Sequence, residues 1–137
     1  MTEALITVKG FQSINGQEDV IELKTIGRYE IKNDKIYIKY RETDEKGVTT
    51  STLIKVLENQ VILTRSGGTD SRMIIEKGKQ NSCFYSSFGA GLILDIYGRL
   101  IENKLSEDGG RLNLEYTLSM NSSPISENRI EITVKEV

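Results

Sequence analysis

Histidine is absent from this 137-residue chain, and cysteine and proline occur once each, as Cys83 and Pro124. Without histidine or a second cysteine, the common zinc sites and the Ser-His and Cys-His nucleophile pairs are excluded. A lone thiol cannot close an internal disulfide, and Cys83, set in an apolar run, reads as a small buried hydrophobe. No metal or cofactor site is expected, and acid–base chemistry would fall to scattered carboxylates and tyrosines. No apolar stretch approaches the ~20 residues needed to span a bilayer. The start Met1-Thr2-Glu3 lacks the basic and apolar regions of a signal peptide, so the expectation is a cytoplasmic protein without a membrane partner. Neither charge sign dominates: Lys+Arg 18 against Asp+Glu 20 leaves a net charge of -2. That balance argues against a surface built to neutralise a run of phosphates, and no nucleic-acid partner is expected.

What the chain does contain is strand pattern. The length suits one domain with a core of its own, and 37% apolar with 28% charged residues is a globular balance. β-branched and aromatic residues alternate with period two, and turn residues interrupt them roughly every 8 to 12 positions, the mark of a sandwich or barrel. Strands are expected at Ala4–Ile14, Val20–Lys32, Lys35–Thr43, Val48–Leu57, Gln60–Ser66, Asp70–Lys77, Gln80–Ser87, Gly91–Leu105, Arg111–Asn121 and Ser126–Glu136. The Gly89-Ala90-Gly91 run breaks the chain between two of them, and Gly98 marks a bulge or bend. Residues 91–105 are apolar on both parities, which signals burial on both faces or a bulge that switches faces.

Hairpin registers constrain one another, because a slip of one residue turns every side chain to the other face. A two-residue turn at Asn33-Asp34 sets Ile31 against Ile36, Tyr29 against Ile38, Gly27 against Tyr40 and Thr25 against Glu42. A three-residue loop at Glu45-Lys46-Gly47 sets Ile38 against Ile54, Tyr40 against Thr52 and Glu42 against Thr50. A turn at Glu58-Asn59 adds Ile54 with Leu63 and Thr52 with Arg65. In "TRSGGTDS", two glycines lie between Arg65 and Arg72. A Gly67-Gly68 turn would oppose Leu63 to Arg72. A Gly67-Gly68-Thr69 loop instead matches Leu63 with Met73 and Arg65 with Ser71, and is preferred. It is a hairpin tip followed by a strand, unlike phosphate loops, which open a helix. The Lys77-Gly78-Lys79 turn then sets Met73 against Cys83 and Ser71 against Tyr85. In the last hairpin, a loop around "NSSPISE" aligns Leu118 with Ile130 and Tyr116 with Ile132.

One face therefore carries layers. Ile31, Ile36, Val56, Val61 and Ile75 form the first; Tyr29, Ile38, Ile54, Leu63, Met73 and Cys83 the second. The third, Gly27, Tyr40, Thr52, Arg65, Ser71 and Tyr85, is polar, and Thr25, Glu42 and Thr50 lie beyond it. Arg65 points inward and Arg72 outward. A greasy floor under a polar rim suits a cup with a wet mouth.

Four segments, "YRETDEKGVTTSTLIKV", "VILTRSGGTDSRMIIEKG", "YSSFG" and "NLEYTLSMNSSPISENRIEITV", together resemble the YwiB-like family of uncharacterised bacterial domains. The resemblance runs from about Ile6 to Val134. It implies a lipocalin-like, calycin-type β-barrel; the registers alone suit a barrel or a sandwich. Matching positions are Tyr40, Glu42, Gly47, Arg65, Gly67, Ser71, Met73, Glu76, Gly78, Tyr85 and Phe88-Gly89. Ser86-Ser87 replaces the family's Thr-Pro, so a rigid turn is missing there. No catalytic residue is known for the family, and its fold brings ligand binding to mind by analogy alone.

The resulting expectation is an all-β domain spanning residues 1–137, a single antiparallel up-and-down barrel of about eight to ten strands. It would be a non-enzymatic module binding a small, partly apolar ligand, anionic in one version. Tyr40, Thr52, Arg65, Ser71 and Tyr85 would set the polar end, Glu42 would steady Arg65, and Met73, Ile38 and Ile54 would form the floor. Each has a plainer reading: Arg65 as a structural ion pair with Glu42, the tyrosines as core caps. The rival is a protein-interaction or structural domain with a side-chain-filled barrel, and an enzyme ranks third. Glu76, on the parity opposite to Met73, reads as an outward acid paired with a neighbouring cation; an acid–base couple with Glu42 is conceivable but disfavoured, since the registers place the two on opposite faces. Oligomeric state is left open.

Overall fold

A computed structural model describes residues 1–87 and 90–137. Ten strands follow one another: β1 (Thr2–Ile14), β2 (Gln17–Lys32), β3 (Lys35–Thr43), β4 (Thr49–Val56), β5 (Gln60–Gly67), β6 (Thr69–Glu76), β7 (Gln80–Ser87), β8 (Ala90–Ser106), β9 (Gly109–Met120) and β10 (Ser123–Glu136). Each pairs antiparallel with its sequence neighbours, and β1 pairs with β10 to close an up-and-down barrel. All ten expected strands are present with ends shifted by a few residues. Of the expected break at Gly89-Ala90-Gly91, Ala90 and Gly91 instead belong to β8, paired with Ser87 and Ser86; Gly89 and the matching pair Phe88-Gly89 fall outside the described residues.

Tight turns set the registers. Asn15-Gly16, Asn33-Asp34 and Asn121-Ser122 all have positive φ, as the type I′ turn that suits twisted strands requires. In the 44–48 loop, Asp44 accepts hydrogen bonds from the N–H groups of Lys46 and Val48 at 2.9 Å each, and Gly47 takes φ 82°. The pairings Tyr29–Ile38, Ile38–Ile54, Tyr40–Thr52, Thr52–Arg65, Leu63–Met73, Arg65–Ser71 and Ser71–Tyr85 all follow the expected register.

Four expectations need correction. The β2–β3 ladder runs only from Arg28–Lys39 to Lys32–Lys35, so neither Gly27–Tyr40 nor Thr25–Glu42 is a ladder pair. Strands β3 to β7 are eight or nine residues long, while β2 has sixteen, and β2 continues with β1 after leaving β3. The β6–β7 ladder stops at Ser71–Tyr85, short of Met73–Cys83. There the hairpin tip folds onto β8, where Gly98 accepts from the Gly78 N–H at 2.8 Å and donates to Lys79 at 3.1 Å. In the last hairpin Leu114 faces Ile130 and Leu112 faces Ile132, four residues from the expected alignment. The loop shrinks to Asn121-Ser122, Pro124 stands opposite Ser119 on β9, and a bulge at Ile125 follows it before the register resumes at Ser126. Finally, Ile31, at the tip of β2, is 37% exposed and does not belong to the first core layer.

The ambiguity of residues 91–105 resolves as a bulge. Register shifts between Gly98 and Leu100. Ile96 is buried before the shift and Ile101 packs on the core after it, so the inward parity changes at Arg99. The barrel's inside is the core: Ile6, Ile38, Ile54, Val56, Val61, Ile75, Leu112, Leu114 and Ile132 are fully buried. Tyr29 belongs to it too, donating its hydroxyl to the Ser106 carbonyl at 2.6 Å.

Candidate functional site

The polar layer lies on the inward side of β3 to β7, toward the end that carries the 44–48 and 67–69 turns. Tyr40, Thr52, Arg65, Ser71 and Tyr85 occupy directly opposed ladder positions across five consecutive strands. Strand alternation puts all five on one face, because each register step preserves parity. Tyr40, Thr52 and Ser71 are buried, with Thr52 wholly inaccessible, and Arg65 and Tyr85 are half-buried. The expected mouth is therefore drier than a wet rim.

Two features of the layer are unusual. Among the described residues Thr52 Oγ1 is buried without a hydrogen-bond partner, a state few native polar groups adopt. And among the described residues no carboxylate stands within ion-pair distance of Arg65. The expected steadying by Glu42 is thus not seen. Glu42 lies one layer nearer the loops, paired with Thr50 and exposed.

Arg65 makes itself felt on the tyrosines around it. Burial raises the Tyr40 pKa, with the Arg65 guanidinium the strongest opposing influence and the nearby Thr52 hydroxyl the next; that proximity falls short of a completed hydrogen bond from Thr52. Burial likewise pushes Tyr116 up to about 12, again against Arg65. Tyr116, inward-facing on β9, completes the layer from the opposite wall. Sequence reading placed it in an apolar face and missed it as a site residue; its phenol among Leu112, Leu114 and Leu118 was the available signal.

Beneath lies the floor. Ile38, Ile54 and Leu63 are buried to 3% exposure or less and Met73 packs half-buried against them, so side chains fill the lower layers. Cys83, in the same layer, is a buried free thiol with its pKa raised by burial. The turn above offers no phosphate cradle. The Gly67 N–H donates to Asp70 Oδ1 at 3.2 Å and the Gly68 N–H to the Thr49 carbonyl at 3.3 Å. Arg72 points outward and is exposed, and Glu76 pairs with Lys79 at 3.6 Å. Among the described residues no three acidic or thiol side chains gather closely enough to hold a metal ion.

A family model described as a domain of unknown function, DUF1934, matches residues 6–132. The chain belongs to that family. Its relative YwiB of Bacillus subtilis, an uncharacterised β-barrel protein, is 29% identical over 117 residues, covering 85% of this chain and 82% of YwiB. The crystal structure of the ywiB protein from Bacillus subtilis superposes with a TM-score of 0.88 at 26% identity, over 99% of this chain and 92% of that one. The family resemblance read from the four sequence segments is correct, and so is the barrel. DUF1934 brings no assigned chemistry, so what the polar layer does has to be argued from its residues.

Proposed function

We propose that this DUF1934 protein is a non-enzymatic binding module, taking a small, partly apolar molecule with a carboxylate or phosphate at the polar end of its barrel. The observation that carries the reading is the pairing, among the described residues, of a wholly buried, unpartnered Thr52 hydroxyl with an inward Arg65 that lacks a carboxylate. A buried hydroxyl without a partner costs about 1–3 kcal/mol, and a cation half-withdrawn from water calls for an anion. One bound oxyanion would answer both, accepting from the guanidinium as a fork and from the hydroxyl. Tyr40, Ser71, Tyr85 and Tyr116 would surround it with further hydroxyls. Met73 would form the floor beneath it.

The filled floor favours a second reading, a protein-interaction or structural barrel whose working surface lies outside. Native mass spectrometry of freshly purified protein, followed by thermal melts of wild type and Arg65→Met against carboxylate and phosphate metabolites, separates the two. A ligand at a hundred times its Kd stabilises by about 2.7 kcal/mol, and that gain should vanish in Arg65→Met. No co-purifying mass, and no compound that raises the wild-type Tm selectively, would sink the small-ligand reading.

A further inference from the structure

Strand β2 has a partner on only one side for most of its length. From Gln17 to Gly27 it pairs with β1, while its β3 ladder starts at Arg28. Among the described residues nothing else pairs with this edge. The segment is long, uninterrupted by proline, and carries Val20, Ile21 and Ile26 at 54%, 73% and 54% exposure. Soluble proteins ordinarily blunt or cover such an edge, since its free N–H and C=O groups are a template for another strand.

We infer that two copies of this chain pair antiparallel through the open β2 edge, about a two-fold axis at Leu23. The sequence around that axis, "EDVIELKTIGR", is complementary to itself when reversed. Glu22 falls opposite Lys24 of the second copy, Val20 opposite Ile26, and Leu23 meets its own symmetry mate. Cross-strand partners of opposite charge and of apolar type are those that stabilise an antiparallel pair. Moving the axis to Glu22 or Lys24 sets Val20 against a cation instead.

The hydrogen-bond phase agrees. Asn33-Asp34 is a two-residue turn closed by Lys32–Lys35, and the residues flanking such a turn form a hydrogen-bonded pair. Even-numbered residues of β2 therefore direct their backbone groups to the β3 side, and past Arg28 that side is open. An axis at Leu23 pairs even residues with even ones, giving about eight new backbone hydrogen bonds between Val20 and Ile26.

A third observation concerns the place where β2 leaves β3. A cleft of about 390 Å³ opens there, lined by Ile26, Gly27 and Tyr40 together with Arg28, Lys39 and Arg41. No carboxylate lines it, and none of the three cations is in an ion pair among the described residues. The same axis brings Glu18 and Asp19 of the second copy to this cleft. Glu22 already approaches both Lys24 and Lys9 of its own chain at 3.7 Å, but exposed pairs of this kind are weak and leave the groups free to share.

Sedimentation equilibrium of the full chain over a wide concentration range tests the pairing. Wild type should associate to a dimer. Glu22→Lys or Lys24→Glu sets like charges opposite each other twice and should weaken dimerisation about tenfold. The double exchange E22K/K24E should return it to within about threefold of wild type, since the opposed pairs are then restored with signs reversed. Val20→Pro, whose lost N–H faces the open side and not β1, should give a folded monomer by circular dichroism. A wild type that stays monomeric overturns the inference and leaves the edge to a strand from another protein. So does a folded double exchange that fails to rescue, or a Val20→Pro chain that still dimerises.

Discussion

Replacing Thr52 by valine tests the polar layer at its most exact point. Its Oγ1 is inaccessible and has no hydrogen-bond partner, so the ligand-free protein bears the desolvation of a hydroxyl, about 1–3 kcal/mol. Valine removes that penalty while keeping the β-branched shape a strand accepts. Thr52→Val should therefore be more stable than wild type by about 1–2 kcal/mol, a direction opposite to that of most core substitutions. With a urea m-value of about 2 kcal/mol/M, the midpoint rises by about 0.5–1 M at unchanged slope. Equilibrium urea unfolding followed by circular dichroism, on protein shown by mass to be free of ligand, gives the number. A midpoint that falls by a similar amount refutes the reasoning, because the hydroxyl would then be holding a structural hydrogen bond. The corollary concerns binding. Losing one hydrogen bond to a charged group, about 1.5–3 kcal/mol, should weaken an anionic ligand roughly ten- to a hundredfold. Stability gained while affinity is lost is the pattern of a polar group kept for a ligand.

Two further predictions concern the scaffold. Burial raises Tyr29 and Tyr116 to about 12, above the ordinary tyrosine value near 10. Their contribution is complete below pH 10, where both states are protonated, and is lost as pH climbs to about 12, because the unfolded chain releases its protons first. Stability should decline across that window by up to about 1.4 kcal/mol per pH unit for each tyrosine; in Tyr116→Phe the decline should be shallower, and an unchanged profile would contradict the assignment. Gly98→Ala would drive a Cβ into the Glu76 backbone where the β6–β7 hairpin tip docks. It should lower stability by about 2 kcal/mol or more, while Gly16→Ala, with open space around it but φ 80°, should cost about 1 kcal/mol. Urea midpoints compare the two, and equal values would show that the tip does not pack there.

Much of this barrel was readable because its registers lock together. Six consecutive strands share one inward face, and turn chemistry at Asn33-Asp34 and Gly47 fixed the alignment on which the polar layer depends. Failures came where strand length or a special backbone replaced alternation. Nothing in "VIELKTIGR" announces that β2 leaves β3 at Gly27, since strand pattern is the same with one neighbour or two. Pro124 looked like a loop, yet Asn121-Ser122 turned the chain, and the proline took a place on β10 just before a bulge. Arg65 was found because an inward cation breaks an apolar pattern. That it has no acidic partner among the described residues could not be read, since Glu42 has the right parity and only the structure shows it exposed.

The contrast between Arg65 and its surroundings also restricts how a ligand could enter. In the proposed reading an anionic group must reach Thr52, which is wholly buried, while Ile54 and Leu63 immediately below are packed. The lower barrel therefore cannot receive an apolar tail. The charged group would descend first, onto Arg65 and Thr52, with the apolar part lying between Tyr85 and the loops above. A long-chain lipid buried tail-down would require Ile38, Ile54 and Leu63 to move together, which close-packed cores resist. Short acids should thus bind as well as their longer homologues. In a series of straight-chain carboxylates, affinity should level off within a few methylenes instead of rising by about 0.8 kcal/mol for each one buried. A steady rise along the series, measured by calorimetry, would mean that the floor opens and that the packing argument is wrong.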